Sequence, residues 1–219
     1  MRDSEYWDSV AQEFDTFYRK EKDPLRRVMD QVLRKGMTER YNLTLQECMN
    51  VEGKKILDVG CGSGRVSVEL AKRGGYVTGI DFSVNMIEMA KSLALRFDVE
   101  DNCTFLVRDF TDHVFDQGFD IVIALGFFDY VREPSPYLKK MKSLTKEKCI
   151  MSFPSKFALQ VPVRFIWLKS RNCSVYFYAK NEISRLLSAI FPYFEVRSIS
   201  ASYFSVARAK RCMKAEWEG

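Results

Sequence analysis

Nowhere in these 219 residues does an apolar run approach the roughly 20 positions a membrane-spanning helix requires, so the chain reads as soluble. Cysteine is sparse and scattered: Cys48, Cys61, Cys103, Cys149, Cys173 and Cys212 form no CxxC pair, which excludes the common zinc and redox spacings. Several fall in apolar runs, and we expect reduced thiols in a cytoplasmic protein. The opening MRDSEYWDSV does not read as a signal peptide. Histidine occurs once, at His113, and no ligand cluster stands at a recognisable metal spacing, so no metal is expected. Repeats, low-complexity stretches and Gly/Ser linkers are missing too. The length then suits one α/β domain with an appended helical segment. A net charge of +5 allows an anionic partner but lacks the concentrated charge of a nucleic-acid binder.

What is present changes character along the chain. Up to about residue 50 it reads as helices. Trp7, Val10, Ala11, Phe14, Phe17 and Tyr18 make one aromatic stripe. Asp23-Pro24 then marks a second helical start, followed by Leu25, Val28, Met29, Val32 and Leu33 at helical spacing. From Lys54, short apolar runs alternate with helical ones: KKILDVG, YVTGID, CTFLVRD, FDIVIAL and KCIMSF. Strand–helix alternation with apolar strands predicts a parallel sheet covered on both faces. A helix over Asn181 to Pro192 follows. Then YFEVRSISA and YFSVARAK lie too close together for a crossover helix, so they must pair antiparallel as a terminal hairpin.

The first strand ends in ILDVGCGSG, with Gly60, Gly62 and Gly64 at alternate positions and Asp58 just before them. In an open parallel sheet ligands sit at the carboxyl ends of the strands, and glycine there lets main chain lie against a ligand. The following helix, starting near Ser63, turns free N–H groups toward the same place. The dinucleotide fingerprint would need a third glycine where Arg65 stands. A carboxylate at Asp58 would repel a pyrophosphate and favour a cofactor carrying an ammonium and a sulfonium. That sign points to S-adenosylmethionine rather than NAD. Asp81, ending the second strand in GIDFS, can accept two ribose hydroxyls. Asp109 and Phe110 end the third and can meet adenine, and Leu125 and Gly126 end the fourth.

This ordered set, from about Lys54 to Val131, resembles the cofactor-binding half of class I S-adenosylmethionine-dependent methyltransferases, more loosely those of porphyrin and quinone biosynthesis. The resemblance implies an α/β, Rossmann-like, seven-stranded, mostly parallel sheet with an antiparallel C-terminal hairpin and helices on both faces. It also implies an N-terminal helical cap over residues 1–50, a methyltransferase domain over 51–219 and a variable substrate segment at about 152–180. The implied cofactor residues are Asp58, Gly60, Cys61, Gly62, Ser63, Gly64, Asp81, Phe82, Met86, Asp109, Phe110, Leu125 and Gly126.

Methyl transfer from a sulfonium is an in-line displacement that mainly needs alignment, so the family has no universal catalytic residue. Candidates are His113, as a base at neutral pH, and Asp129 and Tyr130, which follow the fourth strand where the family faces the methyl group. Tyr18, Phe153 and Tyr178 are candidate substrate contacts, although helical spacing favours Tyr18 as a packed core residue. The 152–180 stretch mixes aromatics with Lys156, Arg164, Lys169 and Arg171. It suits a flat or lipophilic anionic acceptor, a shallow membrane-surface contact or a plain packed connection. The expected partner is a small-molecule acceptor; the Asn/Asp-Pro-Pro-aromatic run of base-amino methyltransferases is missing, which disfavours nucleic acid. Two other functions stay open: a protein that binds the cofactor without transferring, and an NAD-linked oxidoreductase.

Overall fold

In the computed structural model the described residues are 24–156, 175–200 and 202–209, with side chains from Lys35 onward. The strands are β1 (Lys55–Val59), β2 (Tyr76–Asp81), β3 (Cys103–Val107), β4 (Phe119–Ala124), β5 (Thr145–Pro154), β6 (Tyr193–Ile199) and β7 (Ser202–Arg208). The helices are α1 (Pro24–Glu47), α2 (Arg65–Lys72), α3 (Val84–Arg96), α4 (Pro134–Leu144) and α5 (Lys180–Ser188), with short 3-10 turns at Glu100–Asn102 and Phe128–Tyr130. The strands form one seven-stranded sheet in the order β3-β2-β1-β4-β5-β7-β6. Strands β1 to β5 run parallel, while β7 is antiparallel to both β5 and β6. Ile199 pairs with Ser202 at the closed end of the hairpin, so the short spacing read from the sequence is a hairpin.

Strand alternation sorts the core onto two faces. Leu57, Val59 and Val122 join Leu138 and Met141 of α4 and Ile183 and Leu187 of α5. Ile56, Ile121 and Ile123 join Leu70 and Ala71 of α2 and Cys48, just beyond α1. A smaller group packs Val68 of α2 against Ile87, Ala90 and Ala94 of α3 and Phe105 of β3. Each fully buried aliphatic side chain contributes roughly 1.5–3 kcal/mol relative to exposure. The same alternation that sends Ile56 toward α2 sends Asp58 there as well.

Helix α1 is described from Pro24, and Asp23 lies outside the described residues. Its carboxyl half sits on the α2 side, where Leu43 and Leu45 pack against the second cluster. Arg73 donates to the Leu45 carbonyl at 3.0 Å and Lys148 to the Glu47 carbonyl. Glu39 accepts from the Ser200 amide at 2.9 Å and its hydroxyl at 2.6 Å, which ties the helix to the hairpin turn. The aromatic stripe from Trp7 to Tyr18 lies outside the described residues, as do the side chains of the Leu25–Leu33 stripe.

Gly64 opens α2 in the left-handed region (φ +74°), and a Cβ there would meet Ala90 Cβ at 2.7 Å and Phe105 Cζ at 3.3 Å. That glycine is what lets α2 and α3 pack closely beside β3. Gly64→Ala should cost roughly 2–4 kcal/mol, from backbone strain plus overpacking. A denaturant midpoint equal to that of the unsubstituted chain would contradict this packing.

Candidate functional site

Beyond Val59 the chain keeps its grip on β2. Gly60 N–H and Cys61 N–H both donate to the Ile80 carbonyl, at 2.8 and 3.2 Å. The next amide, Gly62 N–H, donates to Asp81 Oδ2 at 3.0 Å, while Ser83 N–H donates to Asp81 Oδ1 at 2.9 Å. Asp81 therefore braces the glycine turn from the end of β2, and carboxylate oxygens that accept one backbone bond can accept a second from a ligand. Ser83 caps α3 through Met86 N–H at 3.2 Å, which seats Met86 beneath the turn. Gly62 has φ +52°, and a Cβ there would meet nothing nearer than Met86 Sδ at 3.9 Å. The turn thus presents bare main chain to open space. Phe82 is 36% exposed beside it.

Asp58 is 3% exposed, and Ser67 Oγ of α2 donates to its Oδ2 at 2.6 Å. Burial pushes its carboxyl from 3.8 up to about 6, the Ser67 bond opposes that, and the nearby Asp81 adds to it. The Cys61 thiol points inward, 3.7 Å from the Gly62 carbonyl, and burial pushes it well above its ordinary range. It offers the site its backbone rather than a nucleophile. Ser63 is half-buried in the turn.

At the end of β3, Asp109 is exposed, and its Oδ1 accepts from the Thr111 amide at 2.7 Å and hydroxyl at 2.6 Å. Phe110 is buried and lies edge-on to Phe127 with ring centroids 6.4 Å apart. Phe127 in turn abuts Gly60, whose Cβ would fall 2.8 Å from its ring. At the end of β4, half-buried Leu125 packs against the α2-side core, and Gly126 N–H donates to the buried Ser152 hydroxyl at 2.8 Å. A Cβ on Gly126 would meet the Arg40 guanidinium at 3.0 Å, so α1 lays a cation over this strand end.

The remaining candidates separate. Asp129 is 2% exposed in the turn after β4, and Tyr130 is half-buried beside it. Tyr178 donates from its hydroxyl to the Val131 carbonyl at 2.6 Å and is held up in pKa by burial first, then by Asp129. Phe153 is fully buried, stacked on Phe128 at 4.5 Å and edge-on to Tyr178 at 5.4 Å. Both rings therefore pack the floor below Asp129. His113 packs edge-on to Phe115 at 4.6 Å, and Phe115 rests on Phe119 at the amino end of β4. Tyr18 lies outside the described residues, as does most of the 152–180 segment.

The structure thus gathers Asp58, Gly60 to Gly64, Asp81 and Met86 around one turn, with Phe110 reached through Phe127. His113 closes the turn that carries Asp109 and Phe110, with its ring packed on Phe115. Arg40 and Ser67 escaped sequence reasoning. Ser67 was within reach, since it lies one helical turn after the glycines. Arg40 carries no signal, because it is one of many cations on an N-terminal helix. Among the described residues no group of three or more His, Cys, Asp or Glu is placed to hold a metal, and no helix is long and apolar enough to cross a membrane.

Residues 50–161 match the family model of a methyltransferase domain. Ubiquinone biosynthesis O-methyltransferase of Pasteurella multocida is 30% identical over 123 residues, which is 52% of this chain and 51% of that one. Its counterpart in Coxiella burnetii is 34% identical over 103 residues, 47% of this chain and 43% of that one. The chain spans about half the length of the curated relatives it matches. Among solved structures, magnesium protoporphyrin IX methyltransferase of Synechocystis with bound SAM superposes with a TM-score of 0.75 at 20% identity, covering 94% of this chain and 95% of that one.

The buried Asp58 carboxyl generates a pH signature. Its folded pKa, about 6, lies above the ordinary 3.8, so the folded state binds the proton more tightly and stability from this group rises as pH falls between those values. Asp58→Asn, which keeps an acceptor for Ser67, should stabilise the apo protein at neutral pH by about 1–3 kcal/mol. That gap should close as pH falls from about 6 to about 4. Denaturation midpoints across this window check it, and a gap independent of pH would show that Asp58 is not a buried anion.

Proposed function

Because this chain belongs to the methyltransferase domain family, we propose that it transfers the methyl group of S-adenosylmethionine to a small-molecule acceptor. The observation that carries this reading is the carboxylate of Asp81, fixed by Gly62 N–H at the lip of an open glycine turn. The donor set fits the cofactor at each end. In this reading Asp81 accepts ribose hydroxyls, and the bare main chain of Gly60, Cys61, Gly62 and Gly64 lines the methionyl part. Asp58 lies behind that turn and favours an ammonium there. Arg40, over Gly126, suits the carboxylate of the same amino-acid group. Asp109 and Phe110 border the adenine end. A pyrophosphate in this seat would meet two carboxylates, Asp58 and Asp81, which argues against a dinucleotide.

When bound, the cofactor supplies a methyl group already activated on a sulfonium. The protein has then to align the acceptor, exclude water and, for some acceptors, take a proton. Asp129 and Tyr130 stand at the strand end where an acceptor would approach. The curated relatives are ubiquinone O-methyltransferases and a structural neighbour acts on magnesium protoporphyrin IX, which supports an oxygen on a lipophilic ring compound as acceptor. The four described cysteines are free thiols, which supports a reducing compartment such as the cytoplasm.

Calorimetric titration with S-adenosylmethionine tests the assignment. Asp81→Ala should weaken binding at least about tenfold, through loss of charge-assisted hydrogen bonds. Unchanged affinity in a folded variant rejects the role, and micromolar NADH binding by the unsubstituted chain overturns the cofactor choice. Arg40→Gln should weaken S-adenosylhomocysteine by about tenfold while leaving 5′-methylthioadenosine, which lacks the amino-acid group, unaffected. Equal losses for both ligands would place Arg40 elsewhere. Formation of S-adenosylhomocysteine from S-adenosylmethionine in a cell extract separates an enzyme from a protein that only binds.

A further inference from the structure

Lys140 of α4 places its ammonium within 2.6 Å of the Phe110 carbonyl, 2.9 Å of the Thr111 carbonyl and 2.6 Å of the His113 carbonyl. An ammonium has three N–H donors, and here a single backbone turn takes all of them. The turn is also closed from within. Asp109 Oδ1 accepts from Thr111, and His113 N–H donates to the Asp109 carbonyl at 3.2 Å. Three carbonyls can converge on one cation only in a narrow range of backbone angles, so the ammonium fixes the turn as a helix terminus is fixed by a capping lysine. The same Nζ stands 5.0 Å from the centre of the Phe110 ring.

Helix α4 reaches the site by a second route. Tyr137, one helical turn before Lys140, packs edge-on to Phe127 at 5.3 Å, and Phe127 is the ring that touches Phe110 and abuts Gly60. Phe110 therefore meets the Lys140 ammonium of α4, the Phe127 ring that Tyr137 of the same helix contacts, and the Phe115 ring at 6.2 Å.

We propose that Lys140 is the positioning residue for the adenosyl end of the cofactor site, locking the Asp109–His113 turn so that Asp109 and Phe110 keep their places beyond β3. The proposal rests on the reading that this pair borders adenine. It predicts a binding loss at the adenosyl end, because among the described residues the hydrogen bonds of the ammonium all go to this turn, with the Phe115 ring 5.9 Å away as a further contact.

The experiment titrates the full chain and its variants with S-adenosylhomocysteine and with 5′-methylthioadenosine, which carries only the adenosyl end. Lys140→Met should weaken both ligands by the same factor, about fivefold to tenfold. Lys140→Arg keeps the charge but spreads its donors in a plane, and should lose about twofold to threefold for both. Equal affinities in a folded Lys140→Met overturn the proposal, as does a loss confined to S-adenosylhomocysteine, which would place the effect at the amino-acid end. Should Lys140→Met fail to fold, an unchanged 5′-methylthioadenosine affinity in Lys140→Arg overturns it equally. If the unsubstituted chain binds neither probe, the cofactor reading itself falls and the proposal with it; if it binds both and the folded lysine variants bind them equally well, the proposal falls and the cofactor reading stands alone.

Discussion

The pairing of β1 with β2 does not stop at the last residue of β1, and that overrun seats the site. Val59 pairs with Ile80, yet the Ile80 carbonyl goes on to accept both Gly60 and Cys61, and Asp81 accepts Gly62. Three successive amides of the glycine turn are thus tied to the end of one neighbouring strand. A slip of one residue would also turn Asp58 away from Ser67 and into the face occupied by Val122 and Leu138. The register that builds the sheet and the register that builds the turn are therefore one constraint. It is enforced by the apolar alternation of Ile56, Leu57 and Val59 as much as by the glycines.

That constraint carries an electrostatic cost. It brings a second carboxylate, Asp81, close enough to raise the energy of ionised Asp58, which burial already raises. Asp58 gains one hydroxyl hydrogen bond in compensation, and Asp81 gains two backbone amides. A fold selected for stability alone would place amides or aliphatic residues at these positions. The arrangement makes sense where a cation is to be held nearby, because the cation then relieves a strain already present. Arg40 adds a positive group over Gly126 at the end of β4.

How much of this was legible in the sequence follows from which interactions are local. The glycine turn, the acids at the ends of β1 to β3 and the closing hairpin are each written within a dozen residues, as a strand pattern plus a breaker, and they appear where the pattern puts them. Asp109 is a partial exception. It heads an Asp-Phe-Thr run in which the side chain turns back on Thr111, a local turn signal that an eye fixed on ligand contacts passes over. Phe153 and Tyr178 look like pocket aromatics because they flank a basic, aromatic stretch. In the fold Phe153 stacks on Phe128 of the turn after β4, since β5 is flanked by other strands and its side chains have two buried faces to fill, and Tyr178 packs edge-on against Phe153. Arg40 and Lys140 were illegible for a different reason. Each is one cation among several on its helix, and only the docking of that helix, a tertiary fact, decides which of them meets a strand end.

The acceptor side shows the same economy from the chemical direction. Tyr178 would be the obvious proton acceptor beside Asp129, but its hydroxyl is spent on the Val131 carbonyl and burial raises its pKa. The residues on either side of the 157–174 stretch are bonded to one another and to this turn. Tyr178 N–H donates to Pro154, Lys156 N–H to Tyr178, and Tyr176 N–H to Asp129. These bonds tie the Phe128–Tyr130 turn to the residues that follow β5. A donor whose leaving group is already activated needs little else, since the rate then depends on how narrowly the reacting atoms are aligned. On the proposed methyl-transfer reading, Tyr178 and the Phe153 ring would hold the turn that carries Asp129 and Tyr130 in place, and would not themselves take a proton.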